Sequence, residues 1–201
     1  MRIYITGRED AKGFEEDLQT FGGLVYAGNV RVGPNERLGK DRRVELLLGV
    51  EGEVLEILAS TRVACSVLHL GREIDYRKPN VYSVPCESEG DRLNSILKCD
   101  AFCFYPGRFG GVRRELVWVA SSILWSEAEP LTQTSPVRPR RVALGNGTAD
   151  EGDWNPIVVE SLQTVAGWGS SSWDWWLKNC STAPEAYAFL TAPAPVSPTH
   201  T

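Results

Sequence analysis

Long apolar runs and an excess of positive charge are both missing from this sequence. No stretch approaches the roughly 18 apolar residues that cross a bilayer, and the N-terminal segment turns polar too soon for a signal peptide. With 21 lysines and arginines against 26 acidic residues, the formal net charge is -5, which leaves no positive field to hold a nucleic-acid backbone. We therefore expect a soluble, cytoplasmic protein that binds neither membranes nor nucleic acid.

Metal-ligating side chains are few and poorly spaced. The five cysteines, an odd number, include no C-x-x-C pair, and only two histidines could join them as ligands. We interpret the cysteines as reduced thiols. Cys99 and Cys103 fit on or beside a buried strand, where free cysteine packs as a small hydrophobe. The sequence thus predicts no disulfide framework, no metal site and no cofactor.

Short apolar runs alternate with segments of helical periodicity along residues 1–190. Runs of β-branched and aromatic residues predict strands at 2–6, 24–26, 64–70, 81–84, 101–105 and 141–144. Apolar residues at helical spacing predict helices at 10–21, within 41–60, and at 88–97, 112–125, 155–166 and 183–190. This alternation indicates one α/β domain with a mainly parallel sheet covered on both faces, followed by a disordered, proline-rich tail at 191–201.

Ligands of such a sheet bind beyond the carboxyl ends of its strands, and two glycine-containing segments are predicted there. In the first, Gly28 and Asn29 lie in a turn after the strand at 24–26, where small residues let the backbone approach a bound group. A glycine turn after a strand is more often only a turn, so this segment alone is weak evidence for a site.

The second segment joins a glycine-rich turn to the start of a helix. Its amides and the helix N-terminus could take phosphate oxygens, with arginines adding bidentate contacts. Its candidate binding residues are Gly107, Arg108, Gly110, Gly111 and Val112. Glu115 follows and would face the sugar hydroxyls, because a carboxylate repels phosphate. The alternatives are a first-turn acid at Glu115 that satisfies the helix dipole and a solvated helix face for the arginines.

Several motifs together resemble the LOG (Lonely Guy) family of phosphoribohydrolases, whose fold is Rossmann-like and doubly wound. The family pattern is a strand ending in a Val-Tyr-Gly-Gly-type turn, an arginine, Asp-Ala-Phe, and a Pro-Gly-Gly-x-Gly-Thr-x-x-Glu motif. The corresponding segments of this chain are, in the same order, Leu24 to Gly28, Arg92, Asp100 to Phe102, and Pro106 to Glu115. It departs from the last motif in one extra residue, in Arg108 where glycine is usual, and in Val112 near the threonine position.

The resemblance implies hydrolysis of the N-glycosidic bond of AMP or a cytokinin-type N6-substituted AMP, which releases the base and ribose 5-phosphate. Glu115 would stabilise the positive charge that develops on the ribose, and Arg92 would bind phosphate or orient the reacting groups. Arg92 is alternatively half of a surface pair with Asp91. LOG-like proteins are commonly dimers, so the resemblance also implies a homodimer.

Two other interpretations stay open. Met1 to Gly7 is similar to the start of nucleoside deoxyribosyltransferase-like proteins, in which Glu115 would be a nucleophile that forms a glycosyl enzyme. The altered glycine motif could instead mark a non-catalytic nucleotide-sensing domain. Tryptophans cluster between Trp154 and Trp176, where core packing or a dimer interface is favoured over base stacking.

Overall fold

A computed structural model describes residues 1–7, 13–31, 43–49, 63–71, 76, 80–105, 111–128, 140–145 and 176–193. Strands and helices follow one another along these ranges. The elements are β1 (Arg2–Thr6), α1 (Phe14–Arg31), β2 (Glu45–Leu48), β3 (Cys65–Leu70), β4 (Val81–Cys86), α2 (Glu89–Leu97), β5 (Ala101–Phe104), α3 (Gly111–Ala128), β6 (Arg141–Leu144), β7 (Leu177–Asn179) and α4 (Ala183–Thr191).

The strands form one parallel sheet in the order β4-β3-β2-β1-β5-β6-β7. The chain therefore builds outward from β1 in one direction as far as β4, and then restarts on the other side of β1 with β5. This order confirms the predicted α/β class and the Rossmann-like, doubly wound arrangement. Its switch point lies between β1 and β5, where such sheets open a crevice at the carboxyl ends of the strands.

Alternate side chains of β1 enter different layers of the core, as the two-residue period of a strand requires. Ile3 and Ile5 pack in the layer that contains α1 and α4. Tyr4 packs in the opposite layer, which contains α2 and α3. The hydroxyl of Tyr4 therefore lies on the side of the sheet that α2 and α3 cover, and the residue is fully buried.

The strand predicted at 24–26 is wrong, because α1 continues from Phe14 to Arg31 without a break at Gly22 and Gly23. Leu18, Phe21 and Val25 keep the helical spacing through the glycines and are fully buried against the sheet. Burying a large apolar side chain stabilises a protein by about 1.5–3 kcal/mol. A glycine inside a helix costs about 1 kcal/mol. The free energy gained by burying these side chains therefore exceeds the cost of the two glycines.

The helix predicted within 41–60 is wrong at residues 45–48, which form β2. Leu46 and Leu48 pack in one layer of the core and Leu47 in the other, as in a strand covered on both faces. Such strands have continuous apolar runs that periodicity does not distinguish from a buried helix. The short edge strand β7 was not predicted, and the helix predicted at 155–166 lies outside the described residues.

The other predicted elements are confirmed, with β1 and β6 matching to the residue. All five cysteines are free and buried, as the interpretation of Cys99 and Cys103 requires. Arg141, the first residue of β6, donates hydrogen bonds to the carbonyls of Phe189, Ala192 and Pro193 at the C-terminal end of α4 and just after it. No described helix combines the length and apolar character needed to cross a membrane.

Candidate functional site

A buried polar cluster lies at the carboxyl end of β1, on the side of the sheet covered by α2 and α3. It joins Tyr4 from β1, Arg92 from α2 and Glu115 from α3. Since α2 follows β4 and α3 follows β5, both helices begin at the carboxyl edge of the sheet. The cluster therefore lies near the switch point of the sheet, the region where ligand sites of doubly wound sheets lie.

Glu115 is the centre of the cluster, and its side chain is only 3% exposed. The Tyr4 hydroxyl donates a hydrogen bond of 2.7 Å to Oε2 of Glu115, while Oε1 forms an ion pair with Nη1 of Arg92. Glu115 is the fifth residue of α3, whose first turn contains no acidic residue. The alternative of a first-turn acid that satisfies the helix dipole is therefore wrong.

The protonation of Glu115 reflects opposing effects. Burial raises the pKa of its carboxyl above the usual range, while the Arg92 guanidinium and the Tyr4 hydroxyl lower it. Burial and the neighbouring Glu115 charge raise the pKa of Tyr4 well above its ordinary value. Tyr4 therefore keeps its proton and remains a hydrogen-bond donor to the carboxylate.

Arg92 orients Glu115 rather than standing free for a ligand. Its side chain is 15% exposed and pairs with Glu115 and, at 3.7 Å, with Glu89 one helical turn earlier. Nη2 of Arg92 also lies 3.5 Å from the Tyr4 hydroxyl. The interpretation of Arg92 as half of a surface pair with Asp91 is wrong, because Asp91 bonds to Ser88 at the N-terminus of α2.

Glu89 extends the cluster toward solvent. It pairs with Arg114 as well as with Arg92, so charges alternate in sign from Glu115 to Arg92, Glu89 and Arg114. Arg114 is 59% exposed, and an ion pair at such a position contributes roughly 0–1 kcal/mol. Glu115, which is buried, and Arg92, which is partly buried, are therefore the candidates for a catalytic role, whereas Arg114 lies at the exposed edge of the cluster.

Gly28 and Asn29 lie in α1, not in a turn after a strand. The Asn29 side chain donates to the Val44 carbonyl and accepts from the Val44 amide, both at 2.9 Å. These bonds tie α1 to the chain entering β2. The first element of the LOG resemblance, a strand and turn at Leu24 to Gly28, is therefore absent from the structure.

The structure describes only part of the segment that the sequence predicts to bind phosphate. Gly107, Arg108 and Gly110 lie outside the described residues, as do the side chains at 111–113. Gly111 is the first residue of α3, and Val112 follows it in the helix. Asp100 has a structural role, since it accepts a 2.7 Å hydrogen bond from the Arg2 amide and joins the chain entering β5 to β1.

Sequence reasoning missed Tyr4 as a site residue. A tyrosine inside a fully buried strand needs a partner for its hydroxyl, and that requirement was the available signal. The partner could not be identified because it lies 111 residues away in sequence.

No group of three or more potential metal ligands occurs among the described residues. No protein-family model matches the chain, and no curated protein matches it at a significant level. The functional inference therefore depends on the geometry of Tyr4, Arg92 and Glu115.

Proposed function

We propose that this protein cleaves the N-glycosidic bond of a nucleoside, with the Glu115 carboxylate as the nucleophile at C1′ of the pentose. The observation that carries the proposal is a buried carboxylate that contacts a tyrosine and an arginine near the switch point of the sheet. A carboxylate is a common nucleophile in glycosyl transfer. This proposal follows the deoxyribosyltransferase-like interpretation more closely than the LOG-like one.

In the first step, an oxygen of Glu115 bonds to C1′ while the C1′–N bond breaks. The departing base takes the electron pair of that bond and a proton from solvent. In the second step, a nitrogen of another base or the oxygen of a water molecule bonds to C1′ and gives up its proton to solvent, while the C1′–O bond breaks and Glu115 leaves as a carboxylate. Each carboxylate oxygen has two lone pairs, so the contacts to Tyr4 and Arg92 leave one on each oxygen for the sugar.

The surroundings of Glu115 suit a reaction in which the sugar becomes cationic. The low exposure of Glu115 limits its contact with water, so the attraction between the carboxylate and the sugar is stronger than in solution. Arg92 keeps the carboxylate charged, and Tyr4 fixes its orientation. Holding the reacting groups in place contributes through proximity and alignment.

Two observations favour a nucleoside substrate. Tyr4 belongs to the Met1 to Gly7 segment, which is the segment that resembles deoxyribosyltransferase-like proteins, and it contacts Glu115 directly. Arg92 is engaged by Glu89 and Glu115 and does not stand free for a phosphate.

The second candidate is hydrolysis of a nucleoside 5′-monophosphate, as the LOG resemblance implies. It is favoured by α3, which is the next described element after β5 and begins at Gly111. An 18-residue helix concentrates positive potential at its N-terminus, which suits a phosphate. In this reaction Glu115 would stabilise the cationic ribose without bonding to it.

One experiment tests both candidates. The protein is incubated with 2′-deoxyadenosine, 2′-deoxyuridine or AMP, with and without a second purine base, and the products are separated by chromatography. Transfer of deoxyribose to the second base supports glycosyl transfer, whereas ribose 5-phosphate formed from AMP supports the second candidate. If calorimetry detects binding of these ligands but no base is released, the domain is a sensor and both reactions are excluded.

A further inference from the structure

Gly49 lies directly after β2 and faces the Tyr4 hydroxyl. A Cβ built on Gly49 would lie 2.0 Å from Oη of Tyr4, 2.8 Å from Cζ of Tyr4 and 3.0 Å from Oγ1 of Thr6. A Cβ does not tolerate contacts below 3.0 Å in real proteins. The space occupied by the Tyr4 hydroxyl therefore exists only because residue 49 has no side chain.

The backbone of Gly49 does not itself require glycine. Its amide donates a 2.9 Å hydrogen bond to the Ile5 carbonyl, which continues the pairing of β2 with β1. Among the described glycines, the positive φ angles belong to Gly13 and Gly71. Alanine can adopt the conformation of Gly49 without strain, so an alanine at this position tests space alone.

The Tyr4 hydroxyl in this space has three polar neighbours. It donates to Glu115, it lies 3.5 Å from Nη2 of Arg92, and a hydrogen bond from Thr6 lowers its pKa. These contacts fix the direction in which the hydroxyl proton points. Any group that displaces the hydroxyl also removes the hydrogen bond on Oε2 of Glu115.

We propose that Gly49 is a positioning residue for Glu115, because its missing side chain admits the Tyr4 hydroxyl that orients the carboxylate. The catalytic meaning of this role rests on the proposed function, whereas the structural coupling from Gly49 through Tyr4 to Glu115 does not. Gly49→Ala is expected to separate Tyr4 from Glu115 and to leave the ion pair with Arg92 in place.

The test measures the titration of Glu115 itself, which needs no substrate. Glutamate side-chain carboxyls are labelled with ¹³C in the full chain, and the Glu115 signal is identified by its loss in Glu115→Gln. The groups that face this carboxyl are Tyr4 on β1 and Arg92 and Glu89 on α2. Loss of the charge-assisted bond from Tyr4 is expected to raise the midpoint by about one pH unit in both Gly49→Ala and Tyr4→Phe.

Two glycine variants serve as matched controls. A Cβ at Gly145 would meet the Tyr105 ring at 2.4 Å, in the layer of the core opposite Tyr4. Gly145→Ala thus reproduces a steric clash at the sheet edge without touching Glu115, and should leave the midpoint unchanged. Gly23→Ala meets nothing within 4 Å and should behave as wild type.

A folded Gly49→Ala protein with the wild-type midpoint overturns the proposal, as does a shift of equal size in Gly145→Ala. If Gly49→Ala fails to fold, it is combined with Tyr4→Leu, which removes both the hydroxyl and the ring carbon Cζ that the new Cβ would overlap, with the Tyr4→Leu single variant as the folding control. Recovery of folding in the double variant supports the proposal, and failure to recover contradicts it. If the midpoint shifts but neither wild type nor variant releases base, the positioning inference stands while the proposed function fails.

Discussion

The hydroxyl of Tyr4 on the first strand donates a 2.7 Å hydrogen bond to the carboxylate of Glu115 on α3. This contact joins the two elements that flank the switch point of the sheet, β1 and the helix that follows β5. It also connects the N-terminal segment with the helix glutamate, the two features that the deoxyribosyltransferase-like interpretation requires together.

Replacing Glu115 by glutamine should abolish the reaction while keeping the shape of the side chain. The amide is a poor nucleophile and carries no negative charge, so base release should fall by about 10³-fold or more. Initial rates of base release from a deoxynucleoside give the measurement. Glu89→Gln is the matched control, because it alters the partner of Arg92 and Arg114 without touching the sugar, and should retain most activity.

Arg92→Met should destabilise the fold through Glu115. Removing one partner of a buried ion pair costs about 3–5 kcal/mol, because the remaining charge stays buried and uncompensated. Urea unfolding followed by circular dichroism measures this change. Arg114→Met removes an exposed partner of Glu89 and should change the free energy of unfolding by less than about 1 kcal/mol. Equal effects of the two variants would contradict the assigned burial of the pair.

The pH dependence of the reaction should reflect Glu115. Burial raises the pKa of this carboxyl, so the folded protein binds its proton more tightly than the unfolded chain does. The stability that Glu115 contributes is then present below the ordinary carboxyl pKa and is lost as pH rises through the folded value. Catalysis needs the opposite, ionised form, so kcat/KM should increase with pH through a limb above the ordinary value of 4.5. A limb at or below that value would contradict the assignment.

Asn29→Ala should affect stability and not catalysis. Its two hydrogen bonds to Val44 are each worth about 0.5–1.5 kcal/mol net, so the free energy of unfolding should fall by about 1–3 kcal/mol. Base release per folded molecule should be unchanged. A large increase in KM with unchanged stability would instead restore Asn29 as a ligand-binding residue.

Much of the fold could be predicted because the strands and helices carry local signals. After an arginine at the first position, β1 and β6 consist of buried β-branched, aromatic and other apolar residues, and Ser88 caps α2 by accepting from the Asp91 amide. Residues 45–48 show the limit, since a run of leucines fits a buried strand and a buried helix equally well. Gly22 and Gly23 are a second limit, because the burial of Phe21 and Val25 overrides their local preference.

The site was predictable only in part. Glu115 and Arg92 were identified from the sequence, but their mutual contact depends on how α2 and α3 pack over the sheet. Tyr4 carries a local signal, a hydroxyl in a buried strand, without any indication of its partner. No residue near Gly49 in the sequence indicates its role, because that role depends on the space occupied by the Tyr4 side chain of the neighbouring strand β1.

The most direct test of the nucleophilic role of Glu115 is mass spectrometry of the protein after acid quenching within a single turnover of a 2′-deoxynucleoside. We expect a deoxyribosyl group on the peptide that contains Glu115, absent from the Glu115→Gln protein. Base release without any such adduct, continuing at an undiminished rate in folded Glu115→Gln, would contradict the account.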